Sequence, residues 1–258
     1  MERVKTVTVT RTTTRIAKMA VSAIFAAFLL VFGSFLPGPA GSAHAMTIDF
    51  ETDDNGAPLS PGAFDGTTAY DGFGVTISST GSLSLFNSSC GPDFGTTCSG
   101  GDDDLGTGAS FGTEPQGNVL VIQDPNVAPA PGDSGDGGSI TFDFAKATTL
   151  TQVALLDNDN TDGGGTGIFL ELFKEGVGAP TVITPALGVD NLLQIIAFGA
   201  EGVGIIKLVV NFPGSGAIAS VTTVPVPAAL PLLLSALAWL GWVARRKKAH
   251  PPTRLADI

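Results

Sequence analysis

The stretch Ser139-Ile140-Thr141-Phe142-Asp143-Phe144 alternates polar and apolar side chains over its whole length. Successive side chains of an extended strand point to opposite faces of a sheet, so the three apolar residues share one face and the polar residues share the other. Residues 207–212 repeat the pattern, with Leu208, Val210 and Phe212 on one face. Both stretches therefore predict half-buried strands.

Short apolar runs of this kind recur on both sides of that stretch and are separated by turns rich in Gly, Pro and Asp. Ten such runs are predicted strands: residues 47–50, 73–78, 82–86, 118–123, 139–144, 150–156, 167–173, 192–198, 204–212 and 217–222. Many short strands without helical periodicity predict an all-β fold, here a two-sheet, jelly-roll-like β-sandwich over residues 46–223. An up-and-down barrel is less favoured because several loops exceed fifteen residues.

The C-terminal region has a different composition. It begins with Val224-Pro225-Val226-Pro227-Ala228. The seventeen residues from Ala228 to Ala244 carry no charge, and Arg245-Arg246-Lys247-Lys248 follows them. A helix of that length covers about 25 Å, close to a hydrocarbon core of roughly 30 Å. Residues 224–248 therefore predict one transmembrane helix with its basic end inside, and residues 249–258 a cytoplasmic tail. The alternatives are a core helix and an ordinary tail anchor.

The order of this prolyl motif, apolar span and basic stop resembles the PEP-CTERM sorting domain, closest to its VPLPA-CTERM subtype. In that family an exosortase, a membrane-embedded cysteine protease of exopolysaccharide-producing Gram-negative bacteria, recognises and cleaves the segment. The resemblance implies exosortase as a partner. Val226 stands where the Pro-Glu-Pro form of the motif has Glu and where the VPLPA subtype has Leu. The tail after Lys248 is longer than usual for the family.

Residues 1–45 predict a secretory signal peptide. Five basic residues precede the apolar run 19–36, and Ala43-His44-Ala45 supplies a small-residue cleavage site. We expect the Sec and signal peptidase machinery to export the chain and to cleave after Ala45, and a retained N-terminal anchor is the alternative. The expected location is outside the inner membrane, first anchored there and then at the cell surface or in the extracellular matrix.

The exported part is strongly acidic. Residues 46–224 contain three lysines and 22 acidic residues, a formal charge of −19. Binding to nucleic acid requires clustered Lys or Arg, so we exclude it as a partner. Both histidines and both tryptophans lie in the two ends of the chain. Residues 46–224 therefore lack Ser-His-Asp triads and imidazole metal ligands. Because they also lack tryptophan, an aromatic platform for sugars would have to consist of phenylalanines.

Cys90 and Cys98 lie in one Gly/Ser-rich loop. In an exported chain, two cysteines at this spacing predict a local disulfide. A redox or nucleophilic role is disfavoured because the loop has no His or Lys to lower the pKa of a thiol.

Two acidic loops are candidates for a structural calcium ion, with Asp102 and Asp104 from the first and Asp157 and Asp159 from the second. Calcium takes six to eight oxygen ligands, which such loops supply. The second loop is not an EF-hand, because Asp162 stands where that motif needs Gly and Ile168 where it needs Glu. The alternative is that these carboxylates only stabilise turns.

Four segments are similar to a pattern found in exported bacterial β-sandwich domains, many of which carry PEP-CTERM tails. These segments are residues 48–52, 100–107, 117–123 and 138–144. This resemblance implies a fold and an external location, but no substrate.

The sequence therefore predicts a non-enzymatic surface or extracellular-matrix protein, sorted and processed by exosortase and associated with exopolysaccharide or biofilm. The alternative is a glycan-binding module that uses the acidic loops and phenylalanines such as Phe86, Phe94 and Phe111. A second alternative is a glycoside hydrolase, because two suitably spaced carboxylates suffice for that chemistry.

Overall fold

The computed structural model describes residues 45–159 and 167–225, together with Leu237, Trp239 and Leu240. Residues 45–159 and 167–225 form an all-β fold, as predicted, and its eleven strands are all antiparallel. The strands are β1 (Met46–Ile48), β2 (Gly62–Ala63), β3 (Val75–Ser79), β4 (Leu83–Asn87), β5 (Asn118–Ile122), β6 (Gly138–Leu156), β7 (Phe169–Lys174), β8 (Thr181–Ile183), β9 (Leu193–Ala197), β10 (Val203–Phe212) and β11 (Ala217–Pro225). The sequence does not predict β2 and β8, which have only two and three residues.

The long strand β6 organises the sheet because its two halves pair with different strands. Its first half lies between β10 and β3, and its second half lies between β11 and β9. We call β3, β7, β8, β10 and the first half of β6 the first branch. The second branch consists of β1, β2, β4, β5, β9, β11 and the second half of β6.

The prediction of two separate strands at 139–144 and 150–156 is wrong, since β6 is one strand of 19 residues. Its register against β10 passes from Lys207 opposite Asp143 to Ile205 opposite Thr148. Four residues of β6 therefore face one residue of β10. Such a bulge bends a strand without ending it, and β6 continues from the first branch into the second.

The two branches bury their apolar faces in one hydrophobic cluster. Ile77, Phe142 and Leu208 come from the first branch, and Leu120 and Val153 from the second. All five are fully or almost fully buried. The fold is thus β-sandwich-like, with one core shared by two parts of a continuous sheet.

A second, smaller cluster lies on the other face of the second branch. Phe86 from β4 and Val119 and Val121 from β5 pack there with Cys90 and Cys98. Because β5 contributes to both clusters, all five of its residues are buried. This explains the continuous apolar run in β5, which has no alternation. The loop between β4 and β5 therefore covers a sheet face.

Several predicted segments lie wholly or largely outside the described residues: the signal peptide at 1–45, the motif residues Val226, Pro227 and Ala228, the basic stop Arg245 to Lys248, and the tail at 249–258. The first two motif residues, Val224 and Pro225, belong to β11, and Thr148 Oγ1 donates a hydrogen bond to the Val224 carbonyl (3.2 Å). Leu237, Trp239 and Leu240 are helical and exposed. Among the described residues, no helix has the length and apolar character needed to cross a bilayer.

Candidate functional site

Three aspartates meet at the end of the sheet where β6 ends and β9 begins. Carboxylate oxygens of Asp157, Asp159 and Asp190 all lie within 4.8 Å of one another. The sequence predicts the first two as metal ligands, and Asp190 was missed. Since β6 and β9 are antiparallel, with Leu156 opposite Leu193, the residues after β6 lie beside those before β9. In the sequence, Asp190 is marked by its position just before β9. That position indicates a metal ligand only when the pairing of β9 with β6 is known.

The other two predicted ligands are arranged differently. Asp104 is half-buried, and its negative charge acts on Asp157. Asp102 instead lies against the loop after β5, where its Oδ2 accepts a hydrogen bond from the backbone N–H of Asp133 (2.8 Å). Burial, followed by the charge of Asp133, raises the pKa of Asp102 to about 6. The four predicted aspartates therefore do not form one group.

Asp157 is the buried member of the three-aspartate group, and only 2% of its surface is exposed. Its Oδ1 accepts a hydrogen bond from the backbone N–H of Asn191 (3.3 Å), and its Oδ2 accepts one from the Ser215 hydroxyl (3.1 Å). Asp133 Oδ2 lies 2.6 Å from the same hydroxyl and also accepts from the backbone N–H of Gly216. Asp157 is therefore held by contacts from two other loops.

Negative charge accumulates at this end of the fold. Burial is the main cause that raises the pKa of Asp157 to about 7, and the charges of Asp104 and Asp159 add to it. The lysines that form described ion pairs do so elsewhere, Lys174 with Glu201 and Lys207 with Asp143. Carboxylates from separate loops that approach this closely repel one another, and a divalent cation or a proton would relieve that repulsion.

A second candidate site lies on the loop that covers the second branch. One open depression of about 460 Å³ is lined by Phe94, Asp93, Thr113 and Glu114, among others. An adjacent one of about 500 Å³ includes Phe111 in its lining. Phe94 is 38% exposed and Phe111 is half-buried. Two phenyl rings are thus accessible on one loop region.

Phe86 does not belong to this surface, so its prediction as a sugar-contacting residue is wrong. It is fully buried in the second cluster, beside Val119 and the two cysteines. Leu85 and Phe86 are neighbours on β4, so their side chains point to opposite faces of the sheet. Leu85 packs in the first cluster, and the loop between β4 and β5 covers the face that carries Phe86.

The Phe111 ring is seated on glycine backbone. A Cβ atom added to Gly106 would lie 2.8 Å from Phe111 Cε2, and one added to Gly91 would lie 3.4 Å from the same atom. Gly91 adjoins Cys90, which forms the predicted disulfide with Cys98. The disulfide is therefore confirmed, and it restrains the chain against which Phe111 packs.

Asp93 supplies a fixed negative charge next to Phe94. Its two carboxylate oxygens accept hydrogen bonds from the Ser110 backbone N–H and from the Ser110 hydroxyl, both at 2.7 Å. The backbone bond and then the hydroxyl bond lower the pKa of Asp93. The carboxylate thus stays ionised at neutral pH and keeps its orientation.

Comparison with known proteins identifies no family. No family model and no curated protein matches the chain. Among solved structures, an F5/8 type C domain from Bacteroides fragilis is 14% identical, with 65% of this chain and 99% of that chain covered and a TM-score of 0.29. The family 32 CBM from C. perfringens NanJ, in complex with galactose, is 17% identical, with 64% and 98% covered and a TM-score of 0.30.

Proposed function

We propose that this protein is an exported, non-enzymatic surface or matrix protein and that its β-domain is a glycan-binding module. The observation that carries the proposal is the pair of adjacent depressions that contain Phe94 and Phe111. Phenyl rings stack on the apolar face of a sugar ring, while neighbouring hydroxyl and carboxylate groups accept or donate hydrogen bonds. Asp93, Thr113 and Glu114 supply such groups beside Phe94.

The test is binding of the full-length protein, purified in a non-glycosidic detergent, to the exopolysaccharide of its host and to a glycan array. We expect retention on at least one polysaccharide and weaker retention for Phe94→Ala. The matched control is Phe73→Ala, because Phe73 is also an exposed phenylalanine but lies beside β3. Equal loss for both variants, or no retention on any glycan, would contradict the proposal and favour a purely structural matrix role.

Delivery to the outside is part of the same proposal. The signal peptide, the prolyl motif, the apolar span and the basic stop support export and processing by exosortase, and the disulfide suits an oxidising compartment. The test is the intact mass of the mature protein from its host. A mass that corresponds to a chain from near Met46 to near Pro227 is expected, whereas an intact chain in the cytosol would contradict the proposal.

We also propose that the three-aspartate group of Asp157, Asp159 and Asp190 binds one calcium ion with a structural role. Its support is the short separation of three carboxylates from two loops and the burial of Asp157. The negative charge of Asp104 also acts on Asp157, and a calcium ion bound at the group would offset it. We further propose the jelly-roll-like β-sandwich expected from the sequence for residues 46–223, and the core shared by the two branches supports the sandwich arrangement.

A further inference from the structure

The two depressions are acidic as well as aromatic. Asp93 and Glu114 line the depression that contains Phe94, and Asp103 lines the one that contains Phe111. The described lining of both depressions includes no Lys, Arg or His. All three carboxylates belong to exposed residues, so a bound polymer could reach them from solvent.

The rest of the domain increases this negative potential. Residues 46–224 carry a formal charge of −19. Two of their three lysines are in ion pairs on the first branch, and Lys146 lies in the exposed bend of β6. The field at the depressions therefore repels uronate, sulfate and phosphate groups and attracts ammonium groups.

We propose that the depressions select a polysaccharide that carries free amines, such as a partly deacetylated polymer of amino sugars, over neutral or anionic polymers. The inference rests on the proposed glycan-binding function and adds the chemical class of the ligand. The apolar face of a sugar ring stacks on Phe94, and the ammonium group on that ring lies against Asp93 or Glu114. An N-acetyl group at the same position removes the charge and forfeits this contact.

Isothermal titration of the full-length protein in a non-glycosidic detergent tests this inference. The probes are the glucosamine tetramer, the N-acetylglucosamine tetramer and a tetramer of uronic acid, at about pH 6 and physiological salt. One ammonium–carboxylate pair near the surface predicts about fivefold or greater preference for the free amine over the acetylated sugar. We expect no measurable binding of the uronate tetramer.

Charge variants separate a local site from general attraction to an acidic protein. Glu114→Gln should reduce the preference for the amine severalfold, and Asp93→Asn should act in the same direction. Glu175→Gln makes the same change of charge at an exposed position after β7 and should leave the preference intact. Phe94→Ala should weaken the binding of both amino-sugar tetramers.

Each contrary result has a distinct meaning. Equal affinity for the two amino-sugar tetramers would overturn the inference and leave the glycan-binding function standing. Tetralysine that binds as tightly as the glucosamine tetramer, or an equal loss for Glu175→Gln, would also overturn it, since both point to unspecific attraction. Absence of binding to every sugar would contradict the proposed function itself.

Discussion

The backbone N–H of Asn191 donates a hydrogen bond to Oδ1 of Asp157 across 3.3 Å, and both residues have positive φ angles of 59° and 61°. Asn191 also reaches a third loop, because its side-chain Nδ2 donates to the carbonyls of Asp103 (2.8 Å) and Gly106 (3.0 Å). Asn and Asp are the residues other than Gly that most readily adopt this left-handed conformation. One asparagine thus connects the loops of both candidate sites.

Substitution of Asn191 should reveal this connection. Asn191→Gly keeps the backbone conformation but loses two hydrogen bonds to loop carbonyls, one buried and one part-buried. We therefore expect a loss of about 2 kcal/mol in the free energy of unfolding. Asn191→Ala should lose about 1 kcal/mol more because Ala is strained at positive φ. Urea denaturation measures both. Equal stability of the two variants would show that backbone strain is absent at this position.

Acid should stabilise the protein when metal is removed by EDTA. The pKa of Asp157 is raised from 3.8 to about 7, so the folded state holds a proton that the unfolded chain has released. This stabilisation is complete below the pKa that Asp157 has in the unfolded chain, and it is lost as the pH rises through the pKa that Asp157 has in the folded protein. We expect the free energy of unfolding to fall by about 2 to 3 kcal/mol between about pH 5 and pH 7.5.

Urea denaturation at several pH values measures this dependence, and the raised pKa of Asp102 should act in the same direction. Asp157→Asn should remove most of the slope, because Asn keeps an oxygen for the Asn191 N–H and carries no charge. A free energy of unfolding that rises with pH across this window would contradict the burial of an ionisable Asp157.

Calcium should raise the melting temperature. A ligand present at a hundred times its Kd adds about 2.7 kcal/mol to the free energy of unfolding, which corresponds to roughly 5 to 10 °C for a domain of this size. Differential scanning fluorimetry in excess calcium and in EDTA measures the shift. Asp190→Asn and Asp157→Asn should abolish it. Asp71→Asn, an exposed aspartate next to β3, should not. An identical melting temperature in both conditions would remove the metal proposal.

Truncation of Phe86 and truncation of Phe94 should lower the free energy of unfolding by very different amounts. Phe86 is fully buried, and truncation to Ala leaves a cavity that costs about 3 to 5 kcal/mol. Phe94 is 38% exposed, and Phe94→Ala should cost about 1 kcal/mol or less. Urea denaturation of the two variants compares them. A large cost for Phe94→Ala would mean that its ring supports the loop and is not held ready for a ligand.

The sequence predicts local features of this fold because they depend on neighbours along the chain. Alternation in residues 139–144 and 207–212 identifies strands whose polar face is outside. Two cysteines eight positions apart need no knowledge of the fold to be paired. The turns rich in Gly and Asp separate the strands. The physical cause of each of these features lies within a few residues of the chain, so the sequence pattern is sufficient to predict it.

The tertiary structure alone decides which distant residues meet. Asp190 joins Asp157 because β9 pairs with the second half of β6, a choice made over more than thirty residues of intervening chain. Phe86 is buried because the loop between β4 and β5 folds back over the sheet, and β6 bends because one residue of β10 faces four of its own. Period-two alternation specifies a face but not what covers it, so burial on both faces depends on packing between distant segments.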